Sequence, residues 1–476
     1  MVSFIPADII RKLFLLLLEE DKRSLHQCIF VNKEWFENAA PLLWRNPFKV
    51  PFNDRAIARS YFGCLPEESK LEIQTKGINI ILPSFRQPLL NYITYCQEIR
   101  SQSIKNISSE LLDNKFAPNF IWEYNLNLVE KELWKCLLAG CVLRTIDLPN
   151  LSLTYFSYSL TTFSNLNELE CSSSISTDFF FELSIICQNL EKIVVELLYC
   201  SYDNEGLATL IAFQKRLKSI EFSTKSNYDY KNLGNALGTQ AKTLTHLKFS
   251  GDICVNSESL SLLTNLKCLE VRFHTFRNLG IGILHFVTFP CLEDLTIIYP
   301  FEQPLELYVK LIKGTKGELR KIDIDSSPWP YIATKQYVQS ISRFCPKLEF
   351  VKIWYDNESE LENIEKILTC CRLLKCITID SLYHYGELGR CNAKIIFDLL
   401  VEKSGPHLSK IYFNGLWDFS EDELEGFLNG WEKKGRSPLS IYFDMDDVIF
   451  DQHVHIFRKY HDLGVLSFWE SYQLHS

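Results

Sequence analysis

LRKIDI, residues 319–324, decides the fold. It reads as a leucine, two variable residues, an aliphatic, one variable residue and an apolar residue. The same phrase stands at Leu143 (LRTIDL), Leu166 (LNELEC), Leu190 (LEKIVV), Leu217 (LKSIEF), Leu244 (LTHLKF), Leu266 (LKCLEV) and Leu292 (LEDLTI). It returns at Leu348 (LEFVKI), Leu374 (LKCITI) and Leu408 (LSKIYF), and once more as PLSIYF from Pro438. Successive starts are 23, 24, 27, 27, 22, 26, 27, 29, 26, 34 and 30 residues apart. The mean is about 27, a period that belongs to stacked repeats. The last four positions alternate apolar and polar, as a strand with one buried face does. Helical patterns follow the strands, as in DFFFELSIICQNL from Asp178, NEGLATLIAFQKRL from Asn204, SELENIEKILTCCRLL from Ser359 and SEDELEGFLNGWEKK from Ser420. The last two open with Ser359/Glu362 and Ser420/Glu423, the spacing of a capping box.

The phrase and its spacing resemble leucine-rich repeats, in particular those with long helical arms found in F-box and ribonuclease-inhibitor-like proteins. The expected fold is therefore α/β: a leucine-rich-repeat solenoid of about twelve repeats over residues 141–450, strands concave and helices convex. In such repeats the variable strand positions form the binding face. The central one is, in chain order, Asp147, Glu170, Val194, Glu221, Lys248, Glu270, Thr296, Asp323, Lys352, Thr378, Tyr412 and Tyr442. Two residues further on stand Glu196, Arg272, Asp325, Trp354, Asp380, Asn414 and Asp444, among others. The face is acid-biased at first and aromatic towards its end. Trp354, Tyr412 and Tyr442 are candidate anchors for a protein target. Glu221, Glu270 and Asp323 would steer a basic segment towards them.

Residues 1–47 have a different organisation. Pro6 opens a helix whose Ile9, Ile10, Leu13, Phe14, Leu17 and Leu18 recur at helical spacing. Glu19–Asp21 break it, and a second helix is expected to bring Leu25, Cys28, Ile29 and Val31 inward. Trp35 and Phe36 lie on a third, before Leu43-Trp44. Three helices of this size are marginal alone, and the apolar excess asks for a covering partner. The stretch resembles an F-box: Ile5-Pro6, Ile9/Ile10/Leu13, the acidic turn, Val31 to Trp35 and the closing Leu43-Trp44 follow that family's motif in order. Phe14–Leu18 departs from it, because the family usually mixes polar residues in there. The resemblance implies docking on the Skp-type adaptor of a cullin-based ubiquitin ligase. Ile5, Pro6, Ile9, Ile10, Leu13, Leu25, Val31 and Trp35 would be the adaptor-facing or box-core residues, in helix-in-groove fashion.

Composition bounds the rest. The chain has 476 residues, with 50 Lys+Arg against 59 Asp+Glu, a formal charge of −9. Apolar residues are 46% and charged residues 23%, enough to bury a large core. The acidic balance gives no electrostatic footprint for nucleic acid or for an anionic membrane. Leu13–Leu18 is the unbroken part of the apolar N-terminus, and a span needs about 20 apolar residues. The 16 cysteines form no CxxC pair. Cys187, Cys291, Cys345, Cys370 and Cys371 fall at helix ends or before strands, where a small apolar residue fits between packed repeats. The expected setting is reducing, cytoplasmic and/or nuclear. Residues 48–140 read as a helical connector and N-terminal cap with room for a degenerate repeat, and 451–476 as a C-terminal cap.

No P-loop, GxSxG, HExxH or EF-hand pattern occurs. IYFDMDDVIFD (441–451) resembles the first motif of haloacid-dehalogenase phosphatases, with Asp444 and Asp446 as nucleophile and acid/base. Asp447 stands where that family has glycine, and IYF is in phase with the repeat. His453-x-His455 reads as a solvated pair rather than a metal site. The expectation is thus a non-catalytic substrate receptor needing no cofactor, with adaptor, cullin and a protein target as partners. A repeat scaffold without a ligase is the alternative.

Overall fold

The leucine that opens each phrase is buried at every one of its eleven occurrences, from Leu143 to Leu408, and so is the aliphatic three residues later. These two positions build the core, and the strands follow from them. The structure is a computed structural model. It describes residues 7–50, 52–80, 88–112, 119–148, 160–198, 203–224, 228–273, 281–298, 305–325, 332–355, 361–381, 391–415, 417–443 and 447–471. They fall into two units, Met1–Lys218 and Ser219–Ser476.

The first unit begins with three packed helices, α1 (Ala7–Glu20), α2 (Lys22–Cys28) and α3 (Lys33–Leu43). Asp21 ends α1 and caps α2, accepting the Arg23 and Ser24 amides at 3.1 Å. Asn32 caps α3 through the Trp35 amide at 2.9 Å. Ile10, Phe14, Leu25, Ala39, Ala40 and Leu43 close the core of the trio. Four more helices follow, α4 (Asp54–Cys64), α5 (Glu67–Thr75), α6 (Ser101–Leu111) and α7 (Asn119–Gly140). Ile80 makes an isolated antiparallel bridge to Leu112, and residues 81–87 lie outside the described ones.

Four described strands run parallel in this unit: β1 (Glu98–Ile99), β2 (Thr145–Asp147), β3 (Glu168–Ser172) and β4 (Lys192–Leu197). Helices α8 (Thr177–Ile186) and α9 (Glu205–Ala212) pack side by side, so closely that a Cβ on Gly206 would come within 2.1 Å of the Thr177 carbonyl. Buried amides replace apolar packing where repeats meet. Asn204 caps α9 through Leu207 and donates to the Ser173 and Ile175 carbonyls. Gln214 accepts from Leu190 and donates to Cys187 and Leu210.

The second unit carries ten described parallel strands in chain order. They are β5 (Ser219–Thr224), β6 (His246–Gly251), β7 (Cys268–Arg272), β8 (Asp294–Ile298), β9 (Lys321–Asp325), β10 (Phe350–Tyr355), β11 (Cys376–Ser381), β13 (Lys410–Asn414), β15 (Leu439–Phe443) and β16 (Leu466–Ser471). Register holds the aliphatics in one row: Ile220, Leu247, Leu269, Leu295, Ile322, Val351, Ile377, Ile411 and Ile441. The described helices are α10 (Lys231–Thr239), α11 (Ser257–Ser261), α12 (Glu306–Lys313), α13 (Ile332–Phe344), α14 (Leu361–Cys370), α15 (Lys394–Lys403), α16 (Glu421–Lys433) and α17 (Asp447–Asp462). The two longest repeats spend extra residues on a small parallel pair, β12 (Cys391–Asn392) with β14 (Trp417–Asp418). Ser420 and Glu423 form the expected capping box on α16; Ser359 lies outside the described residues. The fold is α/β, a leucine-rich-repeat solenoid preceded by helices.

Candidate functional site: a helical face and a sheet face

Two surfaces carry the expected residues, one in each unit. On α1 the helical period sends Ile10 and Phe14 inward and leaves Ile9, Leu13 and Leu16 outward, 56%, 41% and 56% exposed. These three recur at i, i+4 and i+7, a single stripe. Leu15 is exposed beside it, and Phe30 and Val31 are exposed just past α2. Single exposed apolar residues are ordinary, but here several stand along one helix and the next turn. Trp35 is half-buried and meets Phe14 edge to face at 5.3 Å. Trp44 is buried and stacks on Tyr92 at 4.3 Å. Among the expected box residues, Ile9, Leu13 and Val31 therefore reach the surface. Ile10 and Leu25 form core, and Trp35 ties α3 to α1. Ile5 and Pro6 lie outside the described residues. Leu16, on the same helical stripe, and Phe30, in the turn after α2, extend this face beyond the expected residues.

On the sheet, the central variable positions stand in register across neighbouring strands: Glu221, Lys248, Glu270, Thr296 and Asp323, then Lys352, Thr378, Tyr412 and Tyr442. The expected acids are not waiting for an outside partner. Lys248 Nζ lies 2.9 Å from Glu221 and 3.9 Å from Glu270, Arg272 pairs with Glu270, and Lys321 lies 3.2 Å from Asp323. Alternation of sign down the column neutralises this stretch from within. In the first unit, Asp147 accepts the Ser101 amide at 3.0 Å and its hydroxyl at 2.5 Å, and so anchors the start of α6.

Trp354 departs from the expectation of an exposed anchor. It is 3% exposed and its ring packs against Tyr337 of α13 at 5.6 Å. The expected exposure failed because this indole is taken into the repeat's own core.

Tyr412 and Tyr442 keep their place. Their rings stack at 4.3 Å, 7° from parallel, and Phe468 of β16 joins Tyr442 at 5.4 Å. Both tyrosines are half-buried and Phe468 is exposed. Burial and the neighbouring Tyr442 push the Tyr412 phenol up to about 12, so it stays neutral. Beside this column three of the expected face positions, not among the candidate target contacts, form an ion triad. Lys352 Nζ lies 2.7 Å from Asp325 and 2.8 Å from Asp380. Burial works to lower the Lys352 pKa, but Asp380 and Asp325 hold it above the ordinary lysine value. Burial likewise raises the Asp380 carboxyl above the aspartate range, and Lys352 offsets only part of that. Reading the column and the position two residues on as neighbouring rows would have shown two acids converging on one lysine.

Asp444 and Asp446 lie outside the described residues, and the strand before them is an ordinary member of the sheet, flanked by β13 and β16. No helix among the described residues is long and apolar enough to cross a membrane.

No protein-family model matches the sequence, and no curated protein matches it significantly. Among solved structures the chain is similar to one in the crystal structure of the Rad7 and Elc1 complex in yeast. The TM-score is 0.38 at 14% identity, over 69% of this chain and 90% of that one. It is similar to an internalin (inlF) from Listeria monocytogenes str. 4b F2365, with TM-score 0.34 and 12% identity over 66% of this chain and 82% of that one. A chain of the TLR13–ssRNA13 complex gives TM-score 0.32 and 13% identity over 66% and 52%. The repeat architecture itself stands on the strand order and register described above.

Proposed function

We propose that this protein is a non-catalytic receptor subunit of an SCF-type ubiquitin ligase. The α1–α3 box docks on a Skp-type adaptor joined to a cullin, and the repeat sheet holds a protein target for ubiquitination. The catalytic contribution is proximity, bringing a target lysine to another protein's chemistry. The observation that carries the reading is the exposed stripe Ile9, Leu13 and Leu16, with Phe30 and Val31, over a box whose core is already closed. A helix with its own core satisfied and a second aliphatic face outward is built to enter a groove. The F-box resemblance carried by Ile9, Leu13 and Val31 supports a Skp-type adaptor as the groove's owner.

The test is co-purification of the full chain with a Skp-type adaptor. The double variant Ile9→Asp/Leu13→Asp should weaken association by on the order of 100-fold or more, because two buried aliphatics are lost and two charges desolvated. Its melting temperature should hold, since both side chains face solvent. Absence of adaptor binding by the unaltered chain, or binding indifferent to the double variant, defeats the ligase reading and leaves a repeat scaffold.

A further inference from the structure

The aromatic column of the second unit ends beside an unbalanced charge. Lys352 supplies one ammonium, and Asp325 and Asp380 supply two carboxylates. The triad therefore keeps one net negative charge, unlike the evenly paired stretch around Lys248. Its parts differ in access. The Lys352 side chain is 9% exposed, whereas Asp325 is 58% exposed and open to a partner. Asp380 is enclosed beside Lys352 and stands in register with Asn414, two residues beyond Tyr412 on the same face. The exposed carboxylate, Asp325, lies three strands from Tyr412, about 16 Å by strand spacing and rise. That span suits a segment that carries more than one cation.

Resting on the receptor reading above, we propose that this patch receives an arginine-rich segment of the target, one guanidinium against the Tyr412/Tyr442/Phe468 column and another turned to the exposed Asp325. Arginine suits it better than lysine. Its planar guanidinium stacks on aromatic rings and offers five donors in a fixed fork, while an ammonium is compact and strongly hydrated. The leftover negative charge rejects an acidic segment, and Lys352 is engaged twice and so offers no anion site.

The experiment uses the full chain and a fluorescein-labelled peptide of alternating glycine and arginine, read by fluorescence anisotropy. Peptides with citrulline, lysine or glutamate in place of arginine serve as arms. The arginine peptide should saturate. The citrulline peptide, isosteric but uncharged, should bind about tenfold more weakly. Tyr412→Ala and Asp325→Asn should each cost about threefold to tenfold, and Tyr412→Phe should bind like the unaltered chain. Asp325 is largely exposed, so its variant keeps the question open even if Tyr412→Ala folds poorly. No saturation by the arginine peptide up to about 1 mM, equal binding of the citrulline peptide, or preference for the glutamate peptide overturns the proposal. Adaptor co-purification is read in parallel. If it persists while the peptide arms fail, only this inference falls; if it fails while arginine binds, the ligase reading falls alone.

Discussion

Lys352 shows how one side chain can serve both the stability of a sheet and the character of its surface. Its ammonium is nearly enclosed and bonded to two carboxylates on the flanking strands, so it bridges β9, β10 and β11. Its pKa is raised in the fold, which sets the sign of its pH dependence. A lysine held above its unfolded value of about 10.4 contributes stability fully below that pH and loses it as pH rises through the folded pKa. Lys352→Met keeps the length of the side chain and removes the charge, leaving Asp380 beside Asp325 without a counterion. The expected cost in a urea melt at pH 7 is about 3 kcal/mol, the usual penalty for breaking a buried pair from one side. Adding Asp380→Asn should restore part of the loss, because one stranded carboxylate is gone. The single variant should also lose less stability than the unaltered chain as pH rises past about 10.4, because the Lys352 contribution is already gone. A melt unchanged by Lys352→Met would mean that the triad contributes nothing at neutral pH.

At the scale of elements, each repeat must finish a helix and turn back into a strand, and the two longest repeats show what this requires. Beyond Leu400, whose carbonyl accepts the Ser404 amide and hydroxyl, the last carbonyls of α15 run out of helical amides to pair with. Arg436, from the following repeat, donates to the Leu400, Val401 and Ser404 carbonyls at 2.9–3.0 Å, and its guanidinium lies over the Trp431 ring at 4.7 Å. A positive charge is also favourable at that end of the helix dipole. Arg436→Ala should therefore cost about 2 kcal/mol in a denaturant melt, more than an exposed arginine would. It should also speed amide hydrogen exchange in the last turn of α15. No local change in exchange would show that water caps those carbonyls equally well. The strands themselves were legible because each repeat places leucine and aliphatic at fixed offsets, and burial of those residues leaves little choice of face. β1 escaped notice because Cys96 stands where the other repeats have leucine, and only Ile99 keeps its place in the row. β16 does carry the phrase, as LGVLSF from Leu463, but Leu463 and Phe468 are exposed there and a register shift at Leu439/Ser440 sets Trp469 beside Ile441, so the phrase no longer marks the buried face.

Over the whole molecule, what could not be read was which variable side chains would be spent within the chain. Glu221 and Glu270 looked available in isolation, yet both are tied to Lys248. Trp354 looked like an anchor, yet it is core. Pairing across strands decides these outcomes, and a single phrase carries only one partner of each pair. The cysteines give the last test at this scale. The fifteen described cysteines are all free thiols, and Cys200 lies outside the described residues. Cys187, Cys345 and Cys371 are buried at helix ends, as a small apolar filler should be, while Cys291 and Cys370 are exposed. Burial raises the thiols of Cys187 and Cys371 to about 12, and of Cys268 to about 11. A thiol must ionise to attack a disulfide reagent, so burial slows it twice, by access and by pKa. Titration of the native protein with an aromatic disulfide reagent at pH 8 should therefore show Cys291 and Cys370 reacting fast among the described residues, and Cys187, Cys345 and Cys371 only on unfolding. In denaturant all 16 thiols should react without prior reduction. A shortfall there would reveal a disulfide and count against the proposed ligase role, which needs a reducing compartment.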